Sequence, residues 1–326
     1  MGRRSMLAIL LALILILASG CSVGPGGGSG GGRKTIEKAE MPQASGTQVY
    51  TGGDASIDAS NASQGYVMIK YTGSADKVQV QVTGPDGTRT PYPFEKEKYH
   101  AVPLSGGSGS YTIIVYSHVS GDSYAVALSR TISVQLADEF GPFLYPNQYV
   151  EYTNDSESTT YARKLSDKSD DDIDFVTDVF DYVTGHVKYD TKKSENIPVN
   201  YLPDPDRTMD TGKGICLDYA SLMTAMLRSQ GIPTKLEVGY AGDVYHAWIS
   251  VYLKEQGWVD DIIEFDAGLR KRQEVGWKIH EGQQPLYRDV QLLILQPKEL
   301  TWQRREKRTS GSFPQMSWRP FPARCL

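Results

Sequence analysis

The chain has 326 residues, of which 40% are hydrophobic and 22% charged, a globular composition with enough apolar content for about two domains. A net charge of -5 by itself gives no sign of nucleic-acid binding, and no nucleic-acid partner is expected. The balance hides an asymmetry: residues 267–326 hold 12 Lys+Arg against 5 Asp+Glu, a net +7, which leaves -12 for the remainder.

The chain opens as an export signal over residues 1–21. Arg3 and Arg4 precede an apolar run, Met6 to Ala18, that is short for a membrane span. It ends Leu17-Ala18-Ser19-Gly20-Cys21, which resembles the bacterial lipobox. That resemblance implies a lipidated Cys21 anchoring the protein to the outer face of the cell membrane. Ala18 departs from the usual leucine three residues before the cysteine. Residues 22–46 contain a glycine-rich run, Gly24 to Gly32, and are expected to form a flexible tether.

Residues 47–136 read as short strands. Val78, Val80 and Val82 alternate with Lys77, Gln79 and Gln81, a period of two. Tyr66–Tyr71, Tyr111–Ser117 and Tyr124–Leu128 follow the same pattern, and Gly84-Pro85-Asp86-Gly87 supplies a turn. Short strands at this density predict an immunoglobulin-like β-sandwich. Residues 137–152 are rich in aromatics and are expected to dock one domain on the other.

Asp170-Asp171-Asp172 suits a helix start rather than a Ca²⁺ loop, and Ile173, Val176, Phe180, Val183 and Val187 then form one helical stripe. Residues 194–214 carry Pro198, Pro203 and Pro205 and are read as irregular loop. The next helix spans 215–229 and stops at Gly231-Ile232-Pro233. Cys216 lies in its first turn, where unpaired amides and the helix dipole favour a thiolate. Cys216, Ala220, Met223 and Leu227 form its buried stripe. Two strands follow, 235–240 and 245–253. On the second, His246, Trp248, Ser250 and Tyr252 share one face, and Tyr245, Ala247, Ile249, Val251 and Leu253 the other. A buried cysteine is usually packing and a strand histidine usually structural; in this order they make a thiol–imidazole pair.

Gly214-Ile215-Cys216-Leu217-Asp218-Tyr219-Ala220, with Gly231-Ile232-Pro233, Gly239-Tyr240, His246-Ala247-Trp248 and Gly257-Trp258, resembles the bacterial branch of the transglutaminase-like superfamily. The resemblance implies an α+β fold with a papain-like core, a cysteine helix packed on an antiparallel sheet, over residues 137–266. It further implies Cys216 as nucleophile and His246 as base, no metal or organic cofactor, and protein or peptide substrates, cell-wall peptides among them. The family's third residue, an aspartate in an Asp-Pro context, has no counterpart after His246; Asp261 matches by position only. A non-catalytic binding module on the same fold is the alternative expectation. Past Asp266 the resemblance stops, and residues 267–326 read as an anomalous basic tail, as a shifted reading frame would produce.

Overall fold

A computed structural model describes residues 32–198, 201–241 and 244–260, and the backbone of Met316 and Ser317. The signal segment with Cys21, the Asp261 position and almost all of the basic tail lie outside the described residues.

The first core is built from β1 (Val49–Gly52), β2 (Ala55–Asp58), β3 (Tyr66–Tyr71), β4 (Val78–Thr83), β5 (Arg89–Phe94), β6 (His100–Pro103), β7 (Gly109–Ser120) and β8 (Ser123–Val134). One antiparallel sheet runs β1-β2-β3-β6. The other runs β8-β7-β4-β5, with the short strand Met316–Ser317 outside β8. The alternation read in the sequence has its reason here. Val78, Val80 and Val82 point into a core shared with Ile57 and Ile69 of the facing sheet. Gly87 takes a φ of 82° in the turn between β4 and β5, a conformation that favours glycine.

The second core surrounds one helix. The chain passes through α1 (Glu157–Ser166), α2 (Asp172–His186), β9 (Lys188–Tyr189), α3 (Thr191–Glu195), α4 (Pro205–Thr211) and β10 (Lys213–Gly214) into α5 (Cys216–Ser229). It then forms the antiparallel sheet β11 (Thr234–Ala241), β12 (Val244–Leu253) and β13 (Gly257–Val259). Helices α1, α2 and α4 and strands β11 and β12 all pack on α5. This mixed α+β arrangement is the expected fold class. Helix α5 is covered well beyond the expected stripe. Every residue of it except Leu217 is buried, so the stripe from Cys216 to Leu227 is only part of its covered surface. Its polar side chains are satisfied locally, Ser221 by the Tyr149 carbonyl and Thr224 by the Ala220 carbonyl.

Corrections elsewhere have clear causes. In α2 the most deeply buried side chains are Phe175, Val176, Val179 and Val183, while Ile173 and Phe180 are half-buried. Helix α1 buries Ser158, Thr159, Ala162 and Ser166, small residues that leave no apolar stripe to read. Helix α4 lies inside the segment taken as irregular. Pro205 occupies its first turn, where a missing N–H costs nothing, and Asp204 caps it by accepting the Arg207 N–H at 3.0 Å.

The expected tether is in part a docked segment. Arg33 lies against α2, its Nε 2.7 Å from the Asp172 carboxylate and its guanidinium 4.4 Å from the Phe175 ring centroid. It also donates to the Gln230 carbonyl. Ile36 and Gln230 exchange two hydrogen bonds of 3.0 Å, and Ala39 and Asn154 exchange another pair. The glycine run masks this, because the anchoring residues, Arg33, Ile36 and Ala39, all follow it.

The aromatic connection touches rings in both parts of the chain. Phe140 and Phe143 pack on Tyr252 and Trp258, while Tyr145 packs at a tilt against Tyr66 with ring centroids 4.7 Å apart.

Candidate active site

Cys216 is the first residue of α5 and is 1% exposed. The turn that carries it is held from three sides. Gly214 lies so close to α5 that a Cβ there would come within 2.6 Å of the Asp218 Cβ, so only glycine fits. Lys213 and Gly214 pair in parallel with Lys188 and Tyr189, which fixes the incoming strand. Ile215, the capping residue, is extended and has no polar side chain to offer the helix amides. Asp218 compensates by reaching back to accept the Ile215 N–H at 2.8 Å, one half of a capping box.

Asp218 is completely buried and was not singled out from the sequence as a site residue. Besides the Ile215 amide it accepts from Lys193 Nζ at 2.6 Å and from the Tyr201 hydroxyl. Lys193 also lies over the Tyr201 ring, 4.4 Å from its centroid. Burial, and then the Asp218 charge, push the Tyr201 phenol well above its ordinary range, so it stays a donor to the carboxylate. Lys193 and Tyr201 come from the segment before α4, so this cluster ties that segment to the start of α5. The available signal was the acidic residue three places after the cap, within Ile215-Cys216-Leu217-Asp218.

His246 lies on β12, directly across from Gly239 of β11, and is 4% exposed. Ala247, Ile249, Val251 and Leu253 belong to the same core cluster as Cys216. Strand alternation sets His246 on the other face, with Trp248, Ser250 and Tyr252. The fold therefore brings together the two elements that carry Cys216 and His246, α5 and β12. Asp260, the last residue of its segment, is exposed. Among the described residues no group of acidic, histidine or cysteine side chains has the arrangement of a metal site.

The family model described as transglutaminase-like superfamily matches residues 159–260. An uncharacterized protein of Bacillus subtilis, YebA, is 28% identical over 172 residues, which is 46% of this chain and 22% of that protein. A protein-glutamine gamma-glutamyltransferase of Pseudomonas aeruginosa is 34% identical over 68 residues, 17% of this chain and 10% of that enzyme. The chain thus spans under a quarter of the length of these curated relatives. Among solved structures, a candidate cysteine protease from Cytophaga hutchinsonii aligns with a TM-score of 0.32 at 16% identity, covering 65% of this chain and 72% of that one. A candidate protease from Parabacteroides distasonis aligns with a TM-score of 0.27 at 14% identity, covering 64% and 62%. Residues 159–260, with Cys216 at the head of a buried helix and His246 on a strand of the sheet it packs against, form a transglutaminase-like superfamily domain.

Proposed function

We propose that this protein is an exported, lipid-anchored cysteine enzyme that acts on amide bonds of protein or peptide substrates. The observation that carries the reading is the position of Cys216, in the first turn of the central helix of a family-matched core. Helix-start amides and the dipole favour the thiolate there. In the proposed reaction the Cys216 thiolate adds to an amide carbonyl, and the C–N bond breaks as His246 gives its proton to the leaving amine. The product is a thioester on Cys216. An incoming amine or water, deprotonated by His246, then displaces the thiolate and completes transfer or hydrolysis. No metal or cofactor enters this sequence of steps. Cell-wall peptides are the substrate class that suits an enzyme held at the outer face of the membrane through Cys21.

A second reading, a non-catalytic binding module on the same fold, is favoured by one observation: Cys216 is almost fully buried, 1% exposed. A glutamine-containing peptide incubated with the full chain separates the two. The enzyme reading expects ammonia release, abolished in Cys216→Ala and reduced at least a hundredfold in His246→Ala. Release at the blank rate with the unaltered chain would leave the binding module.

A further inference from the structure

A cleft of about 380 Å³ lies between the N-terminal sheets and the C-terminal core. It is remote from Cys216. Its most buried charged group, Arg228, is near the opposite end of α5, about 18 Å along the axis at ~1.5 Å per residue.

Two strands wall the cleft, and each is an edge of its sheet among the described residues. One is β11, of which Lys235, Leu236, Glu237 and Val238 line the cleft in succession. The other is β5, through Thr90, Pro91 and Tyr92. An edge strand presents unpaired N–H and C=O groups, a template for one more strand. Proline at 91 and 93 removes donors from β5, which leaves β11 as the template.

The charges in the cleft are unbalanced in their pairing. Arg228 and Lys235 both line it, and neither has a carboxylate within ion-pair distance among the described residues. The Arg228 guanidinium, 5% exposed, donates only to neutral carbonyls, twice to Thr234 and once to Tyr145. Burial lowers its pKa to about 10. Lys235 lies 3.9 Å from the Trp258 ring centroid. The two carboxylates of the cleft are already occupied: Asp86 accepts from the Thr88 amide and hydroxyl, and Glu237 from the Ser250 hydroxyl. Tyr92, 6% exposed, and Tyr149 also line the cleft, and neither hydroxyl has a hydrogen bond among the described residues.

We propose that this cleft binds an extended peptide segment, which adds as a strand to the edge of β11 and sets a carboxylate against Arg228, Lys235 and the hydroxyls of Tyr92 and Tyr149. The carboxylate is either a side chain or a chain end. The proposal does not depend on Cys216 being a nucleophile.

Calorimetric titration of the full-length Cys216→Ala chain tests it. The probes are a hexapeptide of β-branched residues with a central Glu and blocked ends, its Gln counterpart with a free carboxyl end, and the Gln counterpart with both ends blocked. The expected result is saturable binding of at least one carboxylate peptide, with affinity at least tenfold above the fully blocked Gln peptide. The arm that binds names the source of the carboxylate. Lys235→Gln and Tyr92→Phe, each checked for an unchanged melting temperature, should weaken that binding at least fivefold. Alternate N-methylation of the peptide backbone should abolish it. The proposal is overturned by equal affinity for the carboxylate and fully blocked peptides, by no saturable binding up to millimolar peptide, or by binding that survives both side-chain changes or the N-methylation.

Discussion

The Asp218 carboxylate accepts the Ile215 N–H at 2.8 Å, so a residue just after Cys216 holds the residue just before it. The same carboxylate takes Lys193 and Tyr201, and all of this occurs with Asp218 fully out of solvent. Removing one partner from such a cluster strands the others. Asp218→Ala is expected to destabilise the chain by about 3–5 kcal/mol, measured by urea unfolding, because it leaves the Lys193 ammonium without its counter-charge. Asp218→Asn keeps an acceptor for the Ile215 amide and should cost less. Equal, small losses for both variants would contradict the role given to the carboxylate.

Arg33 should behave as a structural anchor rather than part of a tether. Its contacts are one ion pair, hydrogen bonds to Ser166 and Gln230, and packing on Phe175. Arg33→Ala is expected to cost about 1.5–3 kcal/mol, the range for hydrogen bonds to a charged group, and to open residues 33–43 to limited proteolysis. A segment cut equally fast in both proteins would show that it is not docked.

Two histidines of the N-terminal sheets should titrate in opposite directions. Burial lowers the His100 pKa below its ordinary value near 6.5. Its contribution is therefore present above pH ~6.5 and is lost as pH falls through the folded-state value, where a buried imidazole must take up a proton. His118 is raised, first by its hydrogen bond to the Gly121 carbonyl and then by Asp76. Its contribution is present below ~6.5 and is lost as pH rises through the folded-state value. Side-chain NMR titration should place His100 below and His118 above the free-histidine midpoint; the reverse order would contradict both assignments.

Phe175 is completely buried under the Arg33 guanidinium and within the core around α5. Phe175→Ala should cost about 3–5 kcal/mol in the same urea assay, as expected for a large cavity. A loss below 1 kcal/mol would mean that the side chain is not packed as described.

The sequence is most legible where one physical rule dominates. The valines of β4 alternate because one face of that strand is core, and their period of two was readable without any structure. The helix at Cys216 and the two strands after it were readable from a glycine–proline stop and from alternation. What was illegible has physical reasons. Helix α5 is covered on nearly every side, so its polar residues do not mark an outer face. Helix α1 is held by small side chains, and α4 begins with a proline that reads as a stop. The Asp218–Lys193–Tyr201 cluster joins residues 25 and 17 positions apart, a proximity no local pattern encodes.

The central claim is that Cys216 and His246 act together. The most direct test is the rate at which iodoacetamide alkylates Cys216 between pH 5 and 9, read by mass spectrometry in the unaltered chain and in His246→Ala. Burial slows the absolute rate but leaves its pH profile readable. The account predicts a rate already at its plateau by pH 7, and a profile displaced upward in His246→Ala toward the ordinary thiol value of about 8.5. An ordinary thiol profile, identical in both proteins, would contradict it.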